Sequence, residues 1–231
     1  SVAEEPRRSD KFSGPPRDPP SRDFDFLHLR LECSFDGENE TVEATVTHTL
    51  KAFRDGTRPV DLDAIAIDVR SAALSNGQAL GFETLPEKLR VDLGREVKRG
   101  ETVTLAISYR ARPRQGVYFR KPDASYPDNP KQIWTQGEAE EARHWIPCFD
   151  HPSDKLTTEV IVTAPKPMTA ISNGRLVSVE PKGADAQVFH WLEDKPHATY
   201  LIVVVVGELA VWKSDAGGIP LAAYVQKRHE A

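Results

Sequence analysis

The sequence predicts an all-β protein, an antiparallel two-sheet sandwich or pair of saddle-like curved sheets, with one short helix near residues 137–145. Three observations carry this expectation. Apolar and polar residues alternate in run after run, the period of a strand with one buried face. Turn pairs such as Asp36-Gly37, Asn76-Gly77 and Arg99-Gly100 separate the runs at short intervals. Helical periodicity is nearly absent, and eighteen prolines against one methionine suit a turn-rich β protein better than a helical bundle.

The first 23 residues, SVAEEPRRSDKFSGPPRDPPSRD, are polar and proline-rich and read as an extended arm. A single β domain is expected over 24–231. Its first strand, FDFLHLRLECSF, puts Leu27, Leu29, Leu31, Cys33 and Phe35 on one face, with His28, Arg30 and Glu32 opposite. VEATVTHTL repeats the pattern through Val42, Ala44, Val46 and Leu50, and His48 shares their parity, so it reads as a satisfied core histidine. Ile65/Ile67/Val69, Leu89/Val91/Leu93 and Val103/Leu105/Ile107/Tyr109 continue the series. After a break at 134–155, strands resume with TTEVIVTAP. In ISNGRLVSVE, Asn173-Gly174 is the preferred pair for a tight hairpin turn, because both central positions need φ > 0. QVFHWLED, TYLIVVVVGEL and LAAYVQ complete the list; LIVVVV (201–206) reads as a strand buried on both faces.

Charged residues make up 28% of the 231, and the formal net charge is −5. That mild acidity leaves no electrostatic footprint for nucleic acid or anionic lipid. No apolar run is long enough to span a bilayer. No charged-then-apolar signal segment opens the chain, so a soluble protein is expected, cytoplasmic or exported with any signal already absent. Cys33 and Cys148 are far apart and lack metal spacing; they could pair, but two buried thiols is the better reading.

Catalytic sets are missing. There is no G-x-S-x-G, no glycine-rich phosphate loop and no CxxC pair. The seven histidines show no i, i+4 pairing suited to a zinc site on a helix. His229-Glu230 could open an H-E-x-x-H, but the sequence stops at Ala231, so chance is the better explanation. The expectation is no catalytic residue and no metal bound by this chain.

The break at 134–155 carries the specific signal. Thr135-Gln136-Gly137-Glu138, Ala142-Arg143, Pro147-Cys148-Phe149-Asp150-His151-Pro152 and Lys155 stand in order. Gly116-Val117-Tyr118-Phe119 precedes them; Ser172-Asn173-Gly174, Lys195-Pro196, Thr199-Tyr200-Leu201 and Val206-Gly207-Glu208 follow. This pattern resembles the N-terminal β domain of the aminopeptidase N family, the zinc-dependent gluzincin aminopeptidases, most strongly over 116–208. The departure at His151, where an acidic residue is common, touches little. The family's G-x-M-E-N loop, its zinc helix and its catalytic tyrosine have no match here; they belong to the following domain.

The resemblance implies a β domain that caps the active site of a zinc aminopeptidase. Zinc would belong to the full-length protein, and the partners would be the chain's own catalytic domain and the N-terminus of a peptide. Glu138 would hold the substrate's α-ammonium group, since a buried cation needs facing carboxylates. Gln136 would line the first specificity pocket. The competing local reading makes Thr135-x-x-Glu138 a capping box, with Glu138 turned back to the Thr135 amide; the Pro-Cys-Phe-Asp signature beside it favours the substrate role. Arg143 and Asp150 read as a structural ion pair, and Trp134, Trp145 and Phe149 as loop packing. The alternative function is a non-catalytic scaffold or protein-interaction β domain from a degenerate relative.

Overall fold

The computed structural model describes residues 20–56 and 59–227; residues 1–19 of the arm and the terminal His229-Glu230 pair lie outside the described residues. In chain order the strands are β1 (Phe24–Asp36), β2 (Thr41–Ala52), β3 (Pro59–Asp63), β4 (Ile67–Leu74), β5 (Phe82–Thr84), β6 (Lys88–Asp92), β7 (Thr102–Ala111) and β8 (Val117–Arg120). Then come β9 (Gln132–Thr135), β10 (Leu156–Pro165), β11 (Thr169–Ser172), β12 (Arg175–Lys182), β13 (Ala186–His197), β14 (Val204–Gly207), β15 (Leu209–Asp215) and β16 (Pro220–Gln226).

A seven-stranded sheet, in the order β12-β13-β10-β1-β2-β7-β4, forms the backbone of the domain. A four-stranded sheet (β11-β14-β9-β8), a three-stranded sheet (β3-β6-β5) and the hairpin β15-β16 complete it. Pairing is antiparallel throughout except for β1 with β10, which run parallel. Hairpin turns deliver antiparallel neighbours; β10 reaches β1 only after a crossover of well over a hundred residues, and so is free to run parallel. One hydrophobic cluster joins Leu29 and Leu31, Val46 and Leu50, Leu105 and Ile107, Val160 and Val162, Leu62 and Leu89, and Val204 and Val206. These are the alternate positions that the period-2 pattern assigns to the inner face.

Four local readings change. Leu27 is 39% exposed, because the β1–β2 register shifts between Phe26 and His28; that irregularity turns Phe24 and Phe26 inward in its place. Asn173-Gly174 makes no hairpin, since β11 pairs with β14 and β12 with β13. The pair is a corner between sheets. The Asn173 amide donates to the Leu201 carbonyl at 2.9 Å and accepts from the Val203 N–H at 2.7 Å. Gly174, at φ 78°, lies so close to β13 that a Cβ would stand 2.1 Å from the Leu192 carbonyl oxygen.

LIVVVV is not buried on both faces. Ile202, Val204 and Val206 are buried while Leu201 and Val203, just before β14, are exposed, so the run alternates between inside and outside. The helix expected near 137–145 shrinks to a turn and a single turn of 3-10 helix, Ala142–His144.

The segment after that turn is seated between the sheets. Trp145, Ile146, Cys148 and Phe149 are buried. Tyr109 on β7 donates its hydroxyl to the Trp145 carbonyl at 2.8 Å, and His48 Nε2 on β2 donates to the Pro147 carbonyl at 2.8 Å. His48 is thus the buried core histidine its parity implied, though only half satisfied, since Nδ1 has no hydrogen-bond partner among the described residues; burial pulls its pKa down to about 4. Phe149 stacks on Phe26 with centroids 5.8 Å apart. Cys33 and Cys148 are both buried free thiols, and burial raises both pKa values, that of Cys33 to about 12.

Candidate functional site

Residues 135–150 start at the end of β9. Thr135 faces inward and is buried; its Oγ1 accepts the Val204 N–H at 2.9 Å and donates to the Ile202 carbonyl at 3.4 Å. The next amide, Gln136 N–H, donates to the Gly116 carbonyl at 3.0 Å. Gly137 is buried against the 3-10 turn Thr199–Leu201, and a Cβ there would lie 2.5 Å from the Tyr200 carbonyl oxygen and 2.8 Å from its Cα. Only glycine allows the two backbones to approach so closely. Gln136 and Glu138, on either side of Gly137, are exposed. The Glu138 side chain has no hydrogen bond or ion pair among the described residues, and its peptide bond to Ala139 is cis.

The capping box does not form. The Thr135 hydroxyl is committed to β14, and the N-terminal position of the 3-10 turn is Glu141, which makes no side-chain cap. Spacing alone could not exclude the box, because a capping threonine and a strand threonine look alike until the partner strand is known.

Glu141 is the carboxylate that turns back. Its Oε2 accepts the Gly116 N–H at 3.1 Å and lies 3.5 Å from the Tyr118 hydroxyl, which donates to it. Tyr118 in turn stacks on Trp134 across β8 and β9, centroids 5.7 Å apart. No sequence signal pointed to Glu141, since its partners lie 25 and 23 residues upstream on another strand.

Arg143 and Asp150 form the structural pair the sequence suggested. Asp150 Oδ2 accepts the Arg143 backbone N–H at 3.1 Å and its Nε at 3.3 Å, while Arg143 Nη2 donates to the Asp150 carbonyl at 2.9 Å. Thr199 Oγ1 donates to Asp150 Oδ1 at 2.7 Å. The Asp150 N–H donates to Asp63 Oδ2 at 2.9 Å, and Lys88 Nζ donates to Asp63 Oδ1 at 2.5 Å. Asp63, on β3, escaped sequence reasoning; its backbone also exchanges hydrogen bonds with Cys148 at 2.7 and 3.1 Å. Burial pushes the Asp150 carboxyl above its ordinary pKa, against the pull of Thr199 and Arg143. Burial works to lower the Arg143 pKa, but the facing Asp63 and Asp150 charges outweigh it and the pKa is raised. With its donors and acceptors matched, the network orients the loop and leaves no group poised as an acid or base.

No group of three or more His, Cys, Asp or Glu side chains gathers into a metal-holding arrangement among the described residues. His144 is part-buried with a lowered pKa, first through desolvation, and His151 Nδ1 lies 2.8 Å from the neighbouring Ser153 hydroxyl. The described residues therefore offer no ligand set for a zinc ion. No helix of the described residues is long and apolar enough to cross a membrane.

Sheets packed around a locked loop, with Glu138 exposed beside the buried Gly137, define an all-β domain. The family profile described as the peptidase M1 N-terminal domain matches residues 20–201, and the chain belongs to that family. Aminopeptidase N of Acetobacter pasteurianus is 27% identical over 176 residues, covering 74% of this chain and 49% of its own length. Leukotriene A-4 hydrolase of Xenopus laevis is 25% identical over 199 residues, covering 80% of this chain and 32% of its own. Among solved structures, an M1 zinc metallopeptidase from Deinococcus radiodurans matches at a TM-score of 0.72 and 25% identity, over 84% of this chain and 44% of that one. The chain spans about half the length of these relatives or less.

Proposed function

We propose that this chain is the β domain of a zinc aminopeptidase. It covers the active site of an M1 catalytic domain and supplies Glu138 as the carboxylate that pairs with a peptide's α-ammonium group. Gln136 lines the first specificity pocket beside it. Glu138 itself supports this reading best: it is exposed and without a partner among the described residues, yet the residues before it are anchored, Thr135 to Val204, Gln136 to the Gly116 carbonyl and Gly137 against the Tyr200 backbone. A carboxylate kept out of its own fold on a fixed support is preorganised for an incoming charge. The names of the relatives, aminopeptidase N and M1 zinc metallopeptidase, support the same class. Zinc chemistry is assigned to the catalytic domain, since the described residues gather no ligand set for the ion.

The carboxylate accounts for a preference for chain ends. A peptide with a blocked terminus offers no ammonium, so Glu138 would be covered without a partner, and that penalty rejects it.

The test is Glu138→Gln in the protein that carries this domain joined to its M1 catalytic domain. Loss of a charged hydrogen bond lowers kcat/KM on aminoacyl-anilides by about tenfold to a hundredfold, with the melting temperature unchanged. Unchanged kinetics would overturn the assignment. A gene product with an intact β domain and no turnover would instead favour a scaffold.

A further inference from the structure

A cavity of about 310 Å³ lies between the end of β1 and the four-stranded sheet, at the opposite end of β9 from Gln136. Phe35, Ile133, Met168 and Val206 give it an apolar floor, and Phe35 and Met168 pack on the core while remaining only partly buried. Its mouth is cationic. Arg120, Lys121 and Lys131 line it together with Glu38 and Asp36.

The two carboxylates differ in freedom. Asp36 is occupied within its own turn, accepting the Glu38 and Asn39 N–H groups at 3.0 Å and the Asn39 side chain at 2.6 Å. Glu38 is 65% exposed; it accepts from Lys131 at 2.8 Å and lies 3.7 Å from Lys121. Such exposed pairs hold weakly and exchange readily for another anion. Arg120 donates to Asn129 Oδ1 at 2.8 Å, a neutral acceptor that leaves the guanidinium charge in place. Three cations therefore line the mouth above an apolar floor, with one exposed carboxylate, Glu38, paired to Lys131 and Lys121. Lys121 Nζ also donates to the Glu38 carbonyl at 2.9 Å.

We propose that this cavity binds a small amphipathic monocarboxylate, its alkyl chain over Phe35, Ile133, Met168 and Val206 and its head paired with Lys131, Lys121 and Arg120. Charge complementarity selects an anionic head, and the apolar floor offers water few hydrogen-bond partners, so an alkyl group displaces it favourably. At roughly 30 Å³ for each water-sized group, the volume suits about ten non-hydrogen atoms, the size of octanoate.

Octanoate, octanol and octylammonium, titrated separately into the full chain and followed by amide NMR shifts, test the proposal. Octanoate should saturate shifts at residues 35–38, 131–133, 168 and 206, octanol should bind at least about tenfold more weakly, and octylammonium should not saturate them. Lys121→Glu combined with Lys131→Glu should weaken octanoate by at least about tenfold while leaving octanol unchanged. Met168→Trp should fill the floor and abolish both. Because both lysines are exposed, their variant carries the test even where Met168→Trp fails to fold. Octanol binding as tightly as octanoate, or octanoate shifts that ignore both variants or never saturate, would overturn the proposal.

Discussion

The Thr199 hydroxyl donates a 2.7 Å hydrogen bond to Asp150 Oδ1, joining the Pro-Cys-Phe-Asp loop to the Thr-Tyr-Leu turn across 49 residues. The same turn carries the Tyr200 backbone against which Gly137 packs. One buried carboxylate therefore ties the loop to the turn against which Gly137 packs. Asp150→Asn should cost about 2–3 kcal/mol, because it removes the buried carboxylate of the two that Arg143 pairs with and leaves it only the exposed Glu140, at 2.8 Å. Thr199→Val should cost about 1–2 kcal/mol. Urea denaturation of both single variants and the double should show coupling above about 0.5 kcal/mol; strict additivity would mean that the two groups act separately.

His48 makes stability depend on pH. Its folded pKa is about 4, whereas an unfolded histidine titrates near 6.5. As pH falls the unfolded chain therefore takes the proton first. The contribution is complete above about pH 6.5 and is lost progressively toward pH 4, in total about 3 kcal/mol. His48→Gln can still donate to the Pro147 carbonyl and should flatten that slope. Asp150, with its raised folded pKa, contributes the opposite slope at lower pH, so the comparison is the difference between variant and parent across pH 4–7. Parallel curves would mean that His48 is charged or accessible in the folded chain.

Gly137→Ala puts a methyl group against the Tyr200 backbone, where neither side yields cheaply. The expected cost is about 1–3 kcal/mol in denaturation, together with displacement of Glu138 visible in a crystal structure. Gly81→Ala, where a Cβ meets nothing within 4 Å, is the control and should leave stability nearly unchanged. Equal behaviour of the two variants would mean that the close approach does not hold the segment.

Thr135→Val removes the acceptor for the buried Val204 N–H and should destabilise by about 1–2 kcal/mol. The loss should appear as faster amide hydrogen exchange at Val204. Exchange confined to Gly137 and Glu138 would instead revive the capping arrangement.

In the inner faces of β2 and β7 the structure follows the sequence position by position, from Val42 to Leu50 and from Val103 to Tyr109. There a two-residue period leaves a single choice of inward face. The order of motif residues from Gly116 to Glu208 was equally legible, because their spacing is specific. Leu27, the Asn173-Gly174 corner and the outward Leu201 and Val203 were misread. In each case the answer depended on a neighbour distant in sequence: a register shift against β2, the proximity of β13, or the core residues that cover Ile202 and Val204 but not Leu201 and Val203.

What the sequence determined alone was local: the alternation that makes strands, the glycine at 137, and the identity of the residues that could serve a site. Only the tertiary structure decided which carboxylates in and around the 134–155 segment are used up. Asp63, Asp150 and Glu141 turn to partners on other segments, while the Glu138 side chain has none among the described residues. The reason is physical: a carboxylate's role is set by the donors within about 3 Å of it, and folding brings those donors from segments that no local pattern connects.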